Sequence, residues 1–372
     1  PVGLLLVPSG DQPDVRPPAW GDGRLVARIT ETVGPWRTVA RAALDPDAST
    51  LTFEVDGWDD TAKTPYRVYF EGHVFDGVVR KDPKAEDEVV LAAFTGTKHF
   101  TGGLRWNHDG IWFPHADLVT HVEAHDPDLL FFSGDQIYEG DITGVERRPV
   151  ERAILDYHDK WRRFCCMVRD LARDRPTICI PDDHDVFHGN LWGARGRRAR
   201  RQDDGGYLMP PRFVNMVQRT QTAHLPRPFD PTPVEQGIGV YYTDLVYGGV
   251  SFAILEDRKF KSSPTVAVPA GEFQNGWPQA EGFDPATQAD PEDAALLGDR
   301  QLAFLERWAA DWSDGAWMKA VLSQTIFANV ATIPETAKSG GVLAGLPPEG
   351  PGSYPQGYKL AADADSNGWP RS

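Results

Sequence analysis

The sequence predicts an α/β fold preceded by a small antiparallel β domain, and three observations carry this prediction. In the first 85 or so residues, short segments alternate apolar with polar side chains, which is the pattern of half-buried strands. Beyond residue 89, wholly apolar strand segments alternate with amphipathic helix segments, as in sheets that are covered on both faces. A polar cluster follows these strands at their carboxyl ends, where open α/β sheets place their ligands.

The N-terminal segments predict a small β-sandwich over residues 1–85. Turn clusters such as DPDAS and DGWDD separate them, and the charged segment 81–88 that follows has the composition of a linker. The predicted strands are Arg24–Glu31, Thr50–Val55, Pro65–Phe70 and Val74–Arg80.

The second part of the chain, residues 86–372, alternates strands with helices. Its helices carry apolar residues at three- and four-residue steps, the period of a helix with one buried face. The predicted strands are Val89–Phe94, Leu129–Phe132, Thr177–Ile180, Ser251–Leu255 and Met318–Ser323. Three helices are predicted, around Leu118–Val122, over Val150–Leu171 and over Leu302–Trp312.

Composition excludes several classes of protein. The 372 residues suggest two domains, or one large domain with an appendage. The 38 basic and 54 acidic residues give a net charge of −16, which argues against nucleic acid as a general partner. No apolar run approaches the roughly 18 residues of a membrane span. The three cysteines show no C-x-x-C spacing, so neither a disulfide scaffold nor a zinc site is predicted.

The segment Pro181–Asp185 is the strongest indication of a metal site. Three carboxylates surround one histidine directly after a buried strand, and they repel each other unless a positive charge lies among them. A divalent or trivalent metal supplies such a charge, since carboxylate oxygens and imidazole nitrogen are common metal ligands. The alternative is a solvated acidic loop whose histidine caps a helix.

The segment Ser133–Asp141 follows the preceding strand and predicts further ligands. Asp135 stands at the strand tip, and Gly134 allows close approach of the backbone to a ligand. Tyr138 is three residues further on, and its phenol is a hard oxygen donor that suits Fe(III). The alternative is a helix N-cap aspartate with a tyrosine that only packs.

The order of four motifs resembles the PhoD-like branch of the calcineurin-like metallophosphatases. These motifs are GDQIYEGD, IPDDHDVFHGNLWG, FAILEDRKFK and the stretch 317–329, and the N-terminal strands also resemble the sandwich domain of that family. The resemblance implies a four-layer sandwich of two sheets flanked by helices. It also implies two metal ions (Ca and Fe(III), with other divalent metals possible) and cleavage of phosphate monoesters or diesters, as in alkaline phosphatase D. An extracytoplasmic location, periplasmic or secreted, is favoured.

The resemblance assigns roles to five residues. Asp135 matches the metal-bridging aspartate, Tyr138 the tyrosine ligand and Asp183 the ligand of the N/D-H-D/E motif. His184 matches the acid that faces the leaving group, and Asn190 resembles the asparagine that follows this motif as a metal ligand.

Two departures from the family pattern bear on the metals. The first strand is followed by neither a cysteine nor a D-x-H ligand. His99 could replace the missing metal ligand, or it could be a surface or core histidine. His108 lies in the same loop. The final G-D-x-H motif is also absent, where the chain has Asn367–Pro370. We therefore expect a C-terminally truncated fragment, cut at both ends, whose core sheet lacks an inner strand.

Two further features concern anions. Arg258 follows a buried strand and could bind a substrate phosphate, with Asp257 beside it; equally, Asp257 and Arg258 could form a structural ion pair. The basic run Arg195–Arg201 could steer an anionic substrate or be a solvated loop.

The function that follows is metal-dependent hydrolysis of a phosphoester. Metals bridged by Asp135 would lower the pKa of a bound water for in-line attack on phosphorus and polarise the phosphoryl oxygens, and His184 would protonate or hydrogen-bond the departing alkoxide. The alternative is a non-catalytic surface or binding module with a structural metal site, which would be closed by protein ligands. The sequence does not fix the oligomeric state.

Overall fold

The computed structural model describes residues 2–6, 32–33, 36–70, 73–86, 88–102, 109–273, 280–283, 285–288, 294–325, 331–334 and 358–361. Its strands are β1 (Val2–Leu6), β2 (Thr32–Val33), β3 (Trp36–Ala42), β4 (Thr64–Phe70), β5 (His73–Val79), β6 (Leu91–Phe94), β7 (Leu129–Phe132), β8 (Thr177–Cys179), β9 (Thr243–Tyr247), β10 (Val250–Ile254), β11 (Met318–Leu322), β12 (Ala331–Pro334) and β13 (Tyr358–Ala361). Its helices are α1 (Ala116–Ala124), α2 (Val150–Ala172), α3 (Pro211–Thr222), α4 (Asp257–Phe260), α5 (Pro264–Ala267), α6 (Pro285–Gln288) and α7 (Gly298–Ala310). None of these helices is long and apolar enough to cross a membrane.

The N-terminal strands form one antiparallel sheet in the order β2-β3-β1-β4-β5. The strands predicted at 65–70 and 74–80 are confirmed as β4 and β5. The strand predicted over Arg24–Glu31 lies outside the described residues. Since the described strands of this region belong to a single sheet, the two-layered sandwich over residues 1–85 stays a prediction.

The strand predicted over Thr50–Val55 is wrong, because residues 51–55 have no regular structure. The preceding loop is bound to α3 instead of to a sheet. Arg219 Nε lies 2.6 Å from Asp45 Oδ2, and Thr220 Oγ1 donates a hydrogen bond of 3.0 Å to the carbonyl of Ala48. These long-range contacts override the alternating pattern of the segment.

The first sheet of the second part consists of β6, β7 and β8, all parallel. Every residue of β7 is buried. Alternate side chains point to opposite faces, so Leu130 and Phe132 pack against Phe164 and Val168 of α2. Helix α2 confirms the predicted period, since its buried residues recur at three- and four-residue steps.

The second sheet has the order β11-β10-β9, with β10 parallel to β11 and antiparallel to β9. One face of β10, with Phe252 and Ile254, packs against Leu129 and Phe131 of β7. The opposite face packs against α7, which contributes Phe304 and Trp308 to that core. Both β7 and β10 are covered on two faces, which explains why β7 is wholly apolar and why β10 is apolar except for Ser251, whose hydroxyl accepts a hydrogen bond from Trp308. The chain thus has a mixed α/β fold, as predicted.

Candidate metal centre

Three side chains of metal-ligand type meet at the carboxyl ends of β7 and β8. Asp135, Asp183 and His184 each place one ligand atom within 4.8 Å of the other two. Among the residues that the structure describes, no second group of three or more histidine, cysteine, aspartate or glutamate side chains meets this condition. The structure therefore brings together the two strand-end motifs of the sequence.

The turn that positions Asp135 depends on a glycine. Gly134 has a φ of +116°, and a Cβ atom there would lie 2.4 Å from Cβ of Asp182. A larger residue would push apart the loops that follow β7 and β8. Asp135 itself has a φ of +56°, a conformation that aspartate tolerates better than most residues.

Asp185 connects the same two loops through its buried carboxylate. It is fully buried and accepts backbone N–H groups from Asp135 at 2.8 Å and Asp182 at 2.9 Å. The side chain of Gln221, on α3, donates a third hydrogen bond at 2.9 Å. Asp185 thus positions the loops that carry Asp135 and Asp183, and it is not a member of the three-residue group.

Asp182 forms a buried ion pair with Arg258. Arg258 Nε lies 2.7 Å from Asp182 Oδ1, and Nη2 lies 3.9 Å from Asp183 Oδ1. Gln324, which follows β11, donates to the second oxygen of Asp182. The three carboxylates of the segment 181–185 therefore have three different environments. Asp182 faces Arg258, Asp183 faces Asp135, and Asp185 accepts hydrogen bonds from the backbone.

The alternative of an ion pair between Asp257 and Arg258 is not the pairing that the structure has, since Arg258 is paired with Asp182. Asp257 Oδ2 instead accepts hydrogen bonds from Ser323 Oγ at 3.1 Å and the backbone N–H of Thr325 at 2.5 Å. The guanidinium of Arg258 is directed toward Asp182. Contact of Arg258 or Asp257 with a substrate phosphate stays a prediction.

Tyr138 lies beside the three-residue group. Its ring centre lies 4.4 Å from that of His184. Burial, and then the charge of Asp135, raises the pKa of the Tyr138 phenol. Gly96 makes room for this phenol, since a Cβ there would lie 2.8 Å from its oxygen.

Asn190 is buried next to Arg258. Its amide oxygen accepts a hydrogen bond of 3.3 Å from Arg258 Nη1. The assignment of Asn190 as a metal ligand stays a prediction, as do those of Asp135, Tyr138 and Asp183.

Glu139 is a site residue that the sequence analysis did not select. Its Oε2 lies 2.7 Å from His184 Nδ1, and its Oε1 accepts a hydrogen bond of 3.1 Å from Arg147. Because Glu139 occupies Nδ1, the Nε2 atom of His184 is left for the site. The sequence signal that could have indicated Glu139 is its position directly after Tyr138 in the segment Ser133–Asp141.

The pKa shifts show a surplus of buried negative charge. Burial, followed by the charge of Asp182, raises the pKa of Asp135 to about 7. Burial, followed by the charge of Asp135, raises the pKa of Asp183 to about 6. Burial alone would lower the pKa of His184, but Glu139 and the two aspartates raise it to about 9. Two buried carboxylates that lack sufficient counter-charge fit a divalent or trivalent cation.

The loop after β6 contributes backbone groups rather than a ligand side chain. The N–H of Gly96 donates to the backbone carbonyl of Gly134 at 3.2 Å, and the N–H of Thr97 donates to the backbone carbonyl of Asp135 at 2.8 Å. His99 is not in the three-residue group. It is buried, packs edge-on against Phe113, and its Nδ1 lies 3.1 Å from His115 Nε2. The alternative of a core histidine is therefore supported, whereas His108 and the segment Asn367–Pro370 lie outside the described residues.

His99 predicts a measurable loss of stability in acid. Burial, and then the nearby His115, lowers the pKa of His99 to about 4 from its ordinary value of 6.5. As the pH falls from 6.5 toward 4, the unfolded chain therefore binds a proton that the folded chain excludes. Between pH 7 and pH 5, we expect the wild type to lose about 1–2 kcal/mol more unfolding free energy than His99→Phe does. Urea denaturation at both pH values measures this difference.

The control for this measurement is His121→Phe, at an exposed position of α1. It should keep the pH dependence of the wild type. An identical pH dependence for His99→Phe and the wild type would show that His99 is protonated equally in both states.

Comparison with known proteins gives the family. The sequence matches no curated protein. A solved structure of PhoD is similar to this chain, with a TM-score of 0.53 and 16% sequence identity, over 88% of this chain and 55% of that one. The chain thus spans about half the length of that protein, and the likeness shows the fold alone. The family model of the PhoD-like phosphatases matches residues 99–369, and the chain therefore belongs to the PhoD-like phosphatase family.

Proposed function

We propose that the chain hydrolyses phosphoesters with metal ions held at its candidate centre. The observation that carries this proposal is the convergence of Asp135, Asp183 and His184 at the strand ends of a PhoD-like chain. The raised pKa values of Asp135 and Asp183 support it, because they express a need for positive charge at this point.

The ligands that we propose are Asp135, Tyr138, Asp183 and Asn190, around a dinuclear centre. Metal ions bound there supply Lewis-acid activation of water and of the phosphoryl oxygens. Asp135 is suited to a central place, since its charge acts on the Tyr138 phenol and its carboxylate accepts the backbone N–H of His184 at 3.3 Å. The ions we propose are Ca and Fe(III), or other divalent metals, because the donors are mostly hard oxygens.

His184 is the proposed proton donor to the departing alkoxide. Glu139 holds Nδ1 and thereby orients the ring, so a proton on Nε2 faces the site. The hydrogen bond with Glu139 raises the pKa of His184 against the effect of burial and thereby favours the protonated ring.

Replacement of His184 by asparagine tests this role. We expect retained metal and a loss of turnover of roughly 10²–10⁴-fold, greater for alkyl phosphates than for p-nitrophenyl phosphate, because a basic leaving group needs the proton more. Metal analysis and kcat for both substrates measure the effect, and His121→Asn is the matched control. An equal loss for both substrates would contradict the leaving-group role.

The test of the proposed function itself is hydrolysis of p-nitrophenyl phosphate and its bis-ester with added metals. Hydrolysis that requires metal supports the proposal, and the two substrates separate monoester from diester preference. Tightly bound metal without any hydrolysis would favour a non-catalytic binding module with a structural site.

We also propose the finer architecture and setting of the chain. A four-layer metallophosphatase sandwich over residues 86–372 is supported by the two sheets, which pack face to face and are covered by α2 and α7. The N-terminal β-sandwich over residues 1–85 and an extracytoplasmic location are proposed from the family resemblance. If this boundary is correct, the fragments 1–85 and 86–372 should each fold when expressed separately, as measured by circular dichroism.

A further inference from the structure

A cavity of about 1500 Å³ adjoins the loops that carry the candidate centre. Typical pockets for small molecules measure about 300–1,000 Å³, so this one has room for an extended ligand. Apolar side chains, Leu208 and Met209 among them, form part of the wall. The polar part of the wall contains Asp204, Thr265 and six arginines, at Arg147, Arg148, Arg197, Arg198, Arg200 and Arg201.

Most of this positive charge has no partner. Arg147 contacts Glu139, and Arg201 is paired with Asp204 at 3.1 Å. Within the described ranges, the other four arginines form no ion pair and no side-chain hydrogen bond. In a chain of net charge −16, such a concentration of like charges is relieved by a bound anion. Guanidinium groups bind phosphate through two parallel hydrogen bonds, which favours phosphate over a diffuse anion.

The cavity is connected to the candidate centre through short contacts. Arg147, on the cavity wall, donates to Glu139, which in turn contacts His184. On the same wall, the N–H of Leu208 donates to His188 Nε2 at 3.2 Å. A ligand in the cavity therefore lies two side chains away from His184.

We propose that this cavity binds a second phosphate of the substrate. The preferred substrate then carries at least two phosphates, one hydrolysed at Asp135, Asp183 and His184 and the other held by the arginines. The carbon skeleton between them contacts the apolar part of the wall. This inference rests on the proposed function and adds the substrate class.

Single-stranded nucleic acid is a weaker candidate for the same charges. Its binding sites use aromatic side chains on which bases stack, and none of the described residues that line this cavity is aromatic.

The experiment compares hexanediol bisphosphate with hexyl phosphate, which share a carbon chain and differ by one phosphate. For the wild type with metal, we expect kcat/KM to be roughly tenfold or more higher for the bisphosphate, because charge-assisted arginine–phosphate pairs are strong. In Arg198→Gln/Arg200→Gln this ratio should fall toward one. In Arg169→Gln, which changes an exposed arginine of α2 outside the cavity, it should stay at the wild-type value. A ratio in the double variant equal to that of the wild type would overturn the proposal.

Calorimetric binding of hexanediol bisphosphate to metal-free protein keeps the two proposals distinguishable. Binding that weakens in the double variant, together with no hydrolysis of either ester, would support the arginine cavity and contradict the proposed function. Hydrolysis without arginine-dependent binding would support the proposed function and contradict the arginine cavity as a phosphate site. Displacement of the bisphosphate by a single-stranded oligonucleotide at lower concentration would assign the cavity to nucleic acid and overturn the inference.

Discussion

Replacement of Asp135 by asparagine is expected to remove bound metal and to lower kcat/KM by roughly 10³-fold or more, since a metal contributes several kcal/mol to transition-state stabilisation. Asparagine preserves an Oδ1 atom that can accept the N–H of His184. The fold should therefore persist while the charge is lost. Metal analysis and hydrolysis of p-nitrophenyl phosphate measure both effects.

In the metal-free protein, Asp135→Asn should not lower the stability of the fold, although it lowers metal binding and activity. The folded-state pKa of Asp135 is raised to about 7, so at higher pH its ionisation opposes folding unless a cation neutralises it. Without metal, the variant should be at least as stable to urea at pH 8 as the wild type. Asp170→Asn, at an exposed position of α2, is the control. Unchanged metal content in Asp135→Asn would contradict its role as a ligand.

Replacement of Arg258 by methionine should produce the largest loss of stability. It leaves the buried carboxylate of Asp182 without its cation, and breaking a buried pair in this way typically costs about 3–5 kcal/mol. The pKa of Asp182 is raised by burial, so protonation at low pH relieves the cost and the loss should grow with rising pH. Urea denaturation of metal-free protein measures it.

The double variant Arg258→Met/Asp182→Asn identifies the cause of this loss. It should recover much of the stability, because residue 182 then carries no charge that needs the guanidinium as its partner. If the double variant is as unstable as Arg258→Met alone, the contacts of Arg258 with Asn190 and Gln324 would account for the effect instead.

The strand-end motifs could be located from sequence because their strands are buried on both faces. A wholly apolar run such as Leu129–Phe132 has a clear end, and the next polar residues must lie at the edge of the sheet. The same logic found Pro181–Asp185. It did not find α3 or β9, because neither is a wholly apolar run: both mix polar with apolar residues.

The individual roles within the site could not be predicted. Asp182, Asp183 and Asp185 are near neighbours of one chemical type, and their tasks differ only through partners that are distant in sequence. Arg258 and Gln324 pair with the first of them, while Gln221 contacts the last. The prediction for Thr50–Val55 failed for a similar reason. The preceding loop is bound to α3, and Thr52 Oγ1 donates a hydrogen bond to the carbonyl of Ala223, just after that helix.

The carboxylate of Asp185 has a consequence for the kinetics and affinity of metal uptake. By accepting N–H groups from both Asp135 and Asp182, it fixes the two ligand loops during folding. An arriving ion therefore does not have to order them, and the conformational entropy of those loops is already lost before it binds. Exchange of one ion for another should accordingly be limited by removal of water from the incoming ion, and affinities should rank metals by their chemistry rather than by their ability to organise the chain.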